Sequence, residues 1–199
     1  MSKINKLLLA SKSKRRLDLL EQVGIKPDII LPSNIDESIF SREGLPSKIS
    51  SVIAREKAMA IYKTRKEDGD IILAADTLVA IGRRIIEKPK NIAQARLCLK
   101  LLSGRNHNVY TSICIIDNLG SLHERLVETR IKFKILSDNE IEAYMLSKEW
   151  HGKAGGYAIQ GFAGSFVIKI IGSYSSVMGL PLYQTVNLLN GVGYNARKP

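Results

Sequence analysis

Cysteine and histidine are scarce in this chain: two cysteines and three histidines in 199 residues. Cys98 and Cys114 lie far apart with no metal-ligand spacing, which argues against a disulfide framework or a zinc site and leaves two ordinary buried thiols as the expectation. His107, His123 and His151 show no ligand spacing either, and His107, opening an alternating stretch, reads as structural. Long apolar runs are also missing, so no segment reaches the roughly 20 residues needed to span a bilayer. Near the start, Lys3 and Lys6 precede the apolar run Leu7-Leu8-Leu9-Ala10, which leads straight into Ser11-Lys12-Ser13-Lys14-Arg15-Arg16. A secretory core needs about 7–15 apolar residues and a cleavage site, so the expectation is no signal peptide and a cytoplasmic location. Internal repeats and low-complexity tracts are absent as well.

What is present fits one globular domain over residues 1–199, with 45% hydrophobic residues for a core. Lys and Arg number 30 against 19 Asp and Glu, a net charge of +11. Nucleic acid is the first thought for so basic a chain. The cations are dispersed and mixed with acids, however, and a small anionic substrate suits that distribution equally. Charge alone leaves both open.

Hydrophobic periodicity and punctuation predict interleaved elements. Strands are expected over residues 6–10, 28–31 and 70–75, and a hairpin over 78–86 turning at Gly82. Two long strands, 107–117 and 121–134, flank Asn118-Leu119-Gly120, and a late strand covers 166–171. Helices are expected over 14–23, 46–63, 91–102, 137–147 and 181–189. The fourth carries Ser137 and Glu140 at capping-box spacing. The order predicts a mixed α/β (α+β) fold, a mixed sheet with helices packed on it.

Four places break local rules. Lys14, Arg15 and Arg16 fall in a first helical turn, where the helix dipole disfavours cations. An anion such as phosphate, with Ser11 and Ser13 as further donors, resolves the conflict; a solvated basic face capped by Ser13 is the bland alternative. Asp76 ends an apolar strand where it should meet a turn. It is either a catalytic or metal-binding carboxylate or an Asp that opens the turn with Thr77. Glu56 and Lys57 fall on or beside the apolar stripe of the second helix, with Glu56 on the stripe and Lys57 at its edge. They form a local ion pair or serve a function. The acidic pair Asp36-Glu37 is either solvated or offers hard oxygen ligands, and Glu87-Lys88-Pro89 is a rigid turn with or without a phosphate for Lys88. Last, the glycine-rich segment 153–161 allows close backbone approach to a ligand, with Gln160 able to read a base edge.

Taken in order, these pieces resemble the Maf family of nucleotide pyrophosphatases. The matching segments are Leu9-Ala10-Ser11-x-Ser13-x-Arg15-Arg16, Ala54-Arg55-Glu56-Lys57-Ala58, Ala75-Asp76-Thr77-x-Val79 with Glu87-Lys88-Pro89, Leu102-Ser103-Gly104-x-x-His107-x-Val109-x-Thr111, Lys153-Ala154-Gly155-Gly156-Tyr157-x-Ile159-Gln160-Gly161, and Gly172-Ser173-Tyr174-x-x-Val177-x-Gly179-Leu180-Pro181-Leu182. Lys12 and Lys14 stand where the family commonly has a small residue and a proline. The resemblance implies a Maf/ITPase-like fold, a central elongated mixed β-sheet flanked by helices, with two lobes, a deep cleft, and usually a homodimer. It implies water attack on the α-phosphorus of a nucleoside triphosphate with Mg²⁺ or Mn²⁺ as cofactor. Asp76 would be the general base and, with Glu37, would position the metal. Ser11, Arg16, Lys57 and Lys88 would hold the triphosphate, and Arg15, Thr77 and Gln160 would bear on substrate choice, in the combination of the dTTP/UTP branch. The alternatives are a pyrophosphatase for ITP, XTP, modified pyrimidine nucleotides or 7-methyl-GTP, and a nucleic-acid-binding regulator of cell division. The last gives no reason for Asp76, so a nucleic-acid partner is not expected, nor is a membrane.

Overall fold

The computed structural model describes residues 6–40, 43–65 and 69–194; Lys3 lies outside them. Strand β1 (Leu7–Leu9) runs into helix α1 (Lys14–Gln22), which Gly24, at φ +75°, ends as expected. A two-residue strand β2 (Ile29–Ile30), a 3₁₀ turn at Glu37–Ile39 and the long helix α2 (Pro46–Arg65) follow. Then come β3 (Ile71–Ile81), β4 (Arg84–Ile86), α3 (Ile92–Leu102), β5 (Asn106–Ile116), β6 (Leu122–Phe133) and α4 (Asp138–Ser147). The chain closes with β7 (Val167–Ile171), α5 (Tyr174–Met178) and α6 (Leu182–Gly191). The capping box on α4 is formed by Ser137 and Glu140, and Asn91 caps α3.

The sheet has seven strands in the order β2-β1-β3-β5-β6-β7, with β4 paired to β3. Pairing of β1 with β2 and β3 is parallel, and all other pairs are antiparallel. This is the mixed sheet flanked by helices expected from the order of elements. Because alternate residues of a strand face opposite sides, β3 splits its side chains cleanly. Ile72 and Ala74 pack with Ala54, Ala58 and Ile61 of α2. Leu73 and Ala75 face the other way, onto a cluster with Leu19, Leu20 and Leu189 from α1 and α6. Farther along that second face, Val79 joins a separate cluster with Leu99, Phe133, Tyr144 and Trp150. Two apolar bodies therefore share one face of the sheet, one toward each end of β3.

Two expectations need correction. Asp76 does not end a strand: β3 runs unbroken for 11 residues through Asp76 and Thr77. Its ladder with β5 extends from Ile72↔Ile116 to Ala80↔Asn108, and that long-range pairing overrides the turn preference of Asp. The separate hairpin does turn at Gly82 (φ +58°), as the distal end of this same strand. In α2 the roles of Glu56 and Lys57 are reversed: Lys57 lies buried in the stripe with Ile49, Ile53 and Ile61, while Glu56 is half-exposed and Val52 exposed. Cys98 and Cys114 are free, buried thiols, as expected.

Candidate active site

The site begins with a gap in the sheet. One edge of β3 pairs with β1 at Ile71–Leu73 and with β4 at Val79–Ile81, leaving residues 74–78 between them without a strand neighbour among the described residues. A cleft of about 620 Å³ opens at this gap. Asp76 and Thr77 both reach it, from opposite faces of the strand. Ser11, Arg15, Arg16, Glu37, Lys57, Asp76, Thr77, Lys88 and Gln160 all line this one cleft. Every site residue expected from the sequence is thus brought together, from α1, α2, β3 and four loops or turns. Seven cationic side chains against Glu37 and Asp76 make its walls strongly positive, a field that draws a polyanion in.

On the α2 face, Lys57 Nζ lies 2.7 Å from Asp76 Oδ1 and 2.7 Å from Glu37 Oε1. Lys88 Nζ approaches the other Glu37 oxygen at 3.4 Å. Partial burial works against the charge of Glu37, but Lys57 and Lys88 together hold its carboxyl down at about 2. Asp76 is 2% exposed, and its Oδ2 is buried with no hydrogen-bond partner among the described residues. An unpartnered buried carboxylate oxygen is costly, and at the wall of a cleft it marks a position where a ligand, a water or a cation completes the set. Among the described residues no group of three or more His, Cys, Asp or Glu converges as a ready-made cage. Asp76 and Glu37, both drawn to one ammonium, supply two hard oxygen donors of the kind Mg²⁺ accepts alongside phosphate oxygens. The residues present fit such an ion.

At the α1 entrance, hydroxyl and guanidinium groups are hydrogen-bonded to one another. Ser11 Oγ accepts hydrogen bonds from Arg16 Nη1 (2.9 Å) and from the Ser13 backbone N–H (3.2 Å), which leaves its own proton for the cleft. Arg16 Nε donates to the Gly179 carbonyl at 2.9 Å, tying α1 to the turn after α5. Burial lowers the pKa of Arg16 and Arg15 from the usual arginine value, and Arg15 Nε is buried without a hydrogen-bond partner among the described residues. Ser13 makes no side-chain cap on α1, so the capping part of the bland reading fails; the Arg16 N–H is instead taken up by the Ser13 carbonyl at 3.1 Å.

On the opposite face of β3 the lining changes character. Thr77 and Val79 look toward Tyr157, Ile159, Val177 and Met178, with Gln160 exposed and also lining the cleft. Gly155, at φ +68°, packs directly on Val79. Behind this wall His107 is buried and shares a 2.8 Å hydrogen bond with Tyr157 Oη, the structural role its position suggested. Sequence reading gave no role to Lys153 or Tyr157, although both stand in the quoted glycine-rich motif, and it missed α5 altogether. Lys153 lines the cleft, with its pKa lowered by burial and by the neighbouring charge of Arg15.

A family model for Maf-like proteins matches residues 6–192, a span that contains every residue of this cleft. The chain belongs to the Maf family. Proteins named dTTP/UTP pyrophosphatase are similar to this Maf chain over nearly the whole length. One from Rhodopseudomonas palustris (strain HaA2) is 52% identical over 196 residues, 96% of this chain and 94% of its own. Another, from Mesorhizobium japonicum, is 53% identical over 198 residues, 98% of this chain and 95% of its own. A solved structure of a HAM1 protein from Coxiella burnetii aligns with 94% of this Maf chain and 100% of its own, at 16% identity and a TM-score of 0.49.

Proposed function

We propose that this Maf protein is a nucleoside triphosphate pyrophosphatase that hydrolyses dTTP and UTP to the monophosphate and pyrophosphate. The observation that carries the proposal is the Asp76 carboxylate at the wall of a cationic cleft: one oxygen is fixed by Lys57, and the other is buried without a hydrogen-bond partner among the described residues. The activity for which the relatives are named, at about half identity over nearly full length, supports the substrate pair.

In this reading Ser11, Arg16, Lys57 and Lys88 bind the triphosphate and fix the α-phosphorus near Asp76. Water attacks that phosphorus and gives its proton to Asp76 Oδ2, while the bond to the oxygen bridging the α- and β-phosphorus breaks. Pyrophosphate leaves with the electron pair, its growing charge met by the same cations. Asp76 and Glu37 would hold Mg²⁺ or Mn²⁺, which when bound supplies further neutralisation of phosphate charge. Arg15, Thr77 and Gln160 meet the nucleoside end, where the lining is less charged. A homodimer and a cytoplasmic location belong to the same reading; among the described residues no helix is long and apolar enough to cross a membrane.

The test is pyrophosphate release from dTTP, UTP, CTP, GTP, ITP, XTP and 7-methyl-GTP, with Mg²⁺ or Mn²⁺, for the wild type and Asp76→Asn. The expected result is preference for dTTP and UTP, with turnover lost on the order of a thousandfold in a variant that stays folded. Preference for a purine nucleotide would remove the substrate assignment and keep the reaction. Wild-type rates in Asp76→Asn would remove the reaction as written.

A further inference from the structure

Beneath Thr77 lies a short chain of hydroxyls whose protons can be placed by elimination. Thr77 faces Thr111 directly across the β3–β5 ladder, and their Oγ1 atoms are 3.1 Å apart. Thr111 is completely buried, and its Oγ1 is 2.8 Å from the backbone carbonyl of Ser176 in α5. A carbonyl only accepts, so the single proton of Thr111 is committed to Ser176. The bond between the two threonines then has one direction: Thr77 donates and Thr111 accepts. Thr77 has no second proton, so toward the cleft it presents lone pairs alone.

We infer that Thr111 is a positioning residue that turns Thr77 into an obligate acceptor, which selects nucleobases carrying a ring imide N–H, uracil and thymine, against cytosine. The inference rests on the proposed dTTP/UTP activity and deepens it. Thr77 is on the β3 face away from the Lys57–Asp76 pair, beside Val79, Tyr157 and Met178, so it meets the nucleoside end of the ligand. Uracil and thymine differ by a methyl group and share the imide hydrogen at ring position 3. Cytosine has a lone pair there, and two acceptors facing one another lose a hydrogen bond and leave both groups unsatisfied. The relay thus gives a reason for two substrates with different sugars to be taken together.

The test compares kcat/KM for UTP and CTP, which share a sugar and differ in the base, in the wild type, Thr111→Val and Thr111→Ser. Valine keeps the shape of threonine but releases the Thr77 hydroxyl to rotate and donate. The expected result is a UTP:CTP ratio that falls about tenfold in Thr111→Val and is restored in Thr111→Ser. If Thr111 only props α5 against the sheet, both nucleotides decline together, the ratio stands still, and the inference is overturned. Should Thr111→Val not fold, 4-thio-UTP in the wild type decides, since it keeps the imide N–H while altering position 4. Turnover near that of UTP supports the relay, and turnover near that of CTP overturns it. A wild type inactive on UTP and dTTP refutes the proposed function itself, whereas an active wild type with no preference over CTP refutes only the relay.

Discussion

Lys57 shows how a single residue carries the ionic side of the site. Its ammonium is nearly inaccessible and is shared by two carboxylates from different elements, each at 2.7 Å. Replacing it with methionine keeps the length of the apolar stem and deletes the charge that both acids lean on. Breaking a buried pair from one side costs more than the pair contributes, because the remaining charge is stranded. Lys57→Met should therefore lose about 3 kcal/mol of stability, read as a lower urea midpoint at an unchanged slope. The two released carboxylates should then bind a divalent cation in place of the ammonium, so added Mg²⁺ should raise the midpoint of the variant more than that of the wild type. Equal responses would remove Asp76 and Glu37 as a metal pair. The position of Lys57 was legible in the sequence: steps of four from Ile49 pass through Ile53 and Lys57 to Ile61. Counting Val52 into the stripe tilted the predicted face and put Glu56 there instead. Asp76 was legible as an anomaly, but its partnership with Lys57 was not, because nothing local announces which helix will lie over a strand.

Among the elements, β3 and α5 show where local reading stops. The apolar run up to Ala75 announces a strand, but its continuation through Asp76 and Thr77 depends on β5, more than 30 residues away in sequence. Helix α5 has five residues and no apolar stripe; it is held by the Ser173 cap and by Thr111 beneath it. The glycine-rich segment is different, because its glycines were visible and their reason is steric. A Cβ on Gly155 would stand 2.9–3.0 Å from all three side-chain carbons of Val79, at a φ of +68°. Gly155→Ala should cost about 2 kcal/mol through overpacking and left-handed strain together. By pushing Val79 into the cleft wall it should also raise KM more than it lowers kcat. Gly82 provides the control: it has a similar positive φ in the β3–β4 turn with nothing within 4 Å of the added Cβ. Gly82→Ala should lose only about 1 kcal/mol and leave KM unchanged. If both variants shift KM alike, Gly155 does not shape the site through Val79.

Across the whole molecule, acid stability joins a group buried behind the cleft wall with one that lines the cleft. His107 is 2% exposed between the sheet and the glycine-rich segment, and burial lowers its pKa to about 4. The folded chain keeps it neutral, while the unfolded chain protonates it below about 6.5. Between those values the unfolded state binds more protons, so stability falls as the pH drops. The contribution is intact above about 6.5 and reduced by up to about 3 kcal/mol at 4. Glu37 acts in the next window. Its carboxyl is held at about 2 against a usual 4.5, so its contribution is intact above 4.5 and disappears toward 2. The urea midpoint should therefore decline in two stages as the solution is acidified. Glutamine at position 107 can still meet the Tyr157 hydroxyl but cannot titrate in this range, so His107→Gln should flatten the first stage and leave the second. The variant and the wild type can both be followed by tryptophan fluorescence, since Trp150 lies in the same buried cluster as Tyr157. A wild type and variant that decline in parallel between pH about 6.5 and about 4 would mean that His107 is not the group being titrated. The net positive charge that grows as carboxylates protonate would then be the source of acid sensitivity to test, and its signature is distinct: added salt screens it, whereas the penalty for charging a buried imidazole barely responds.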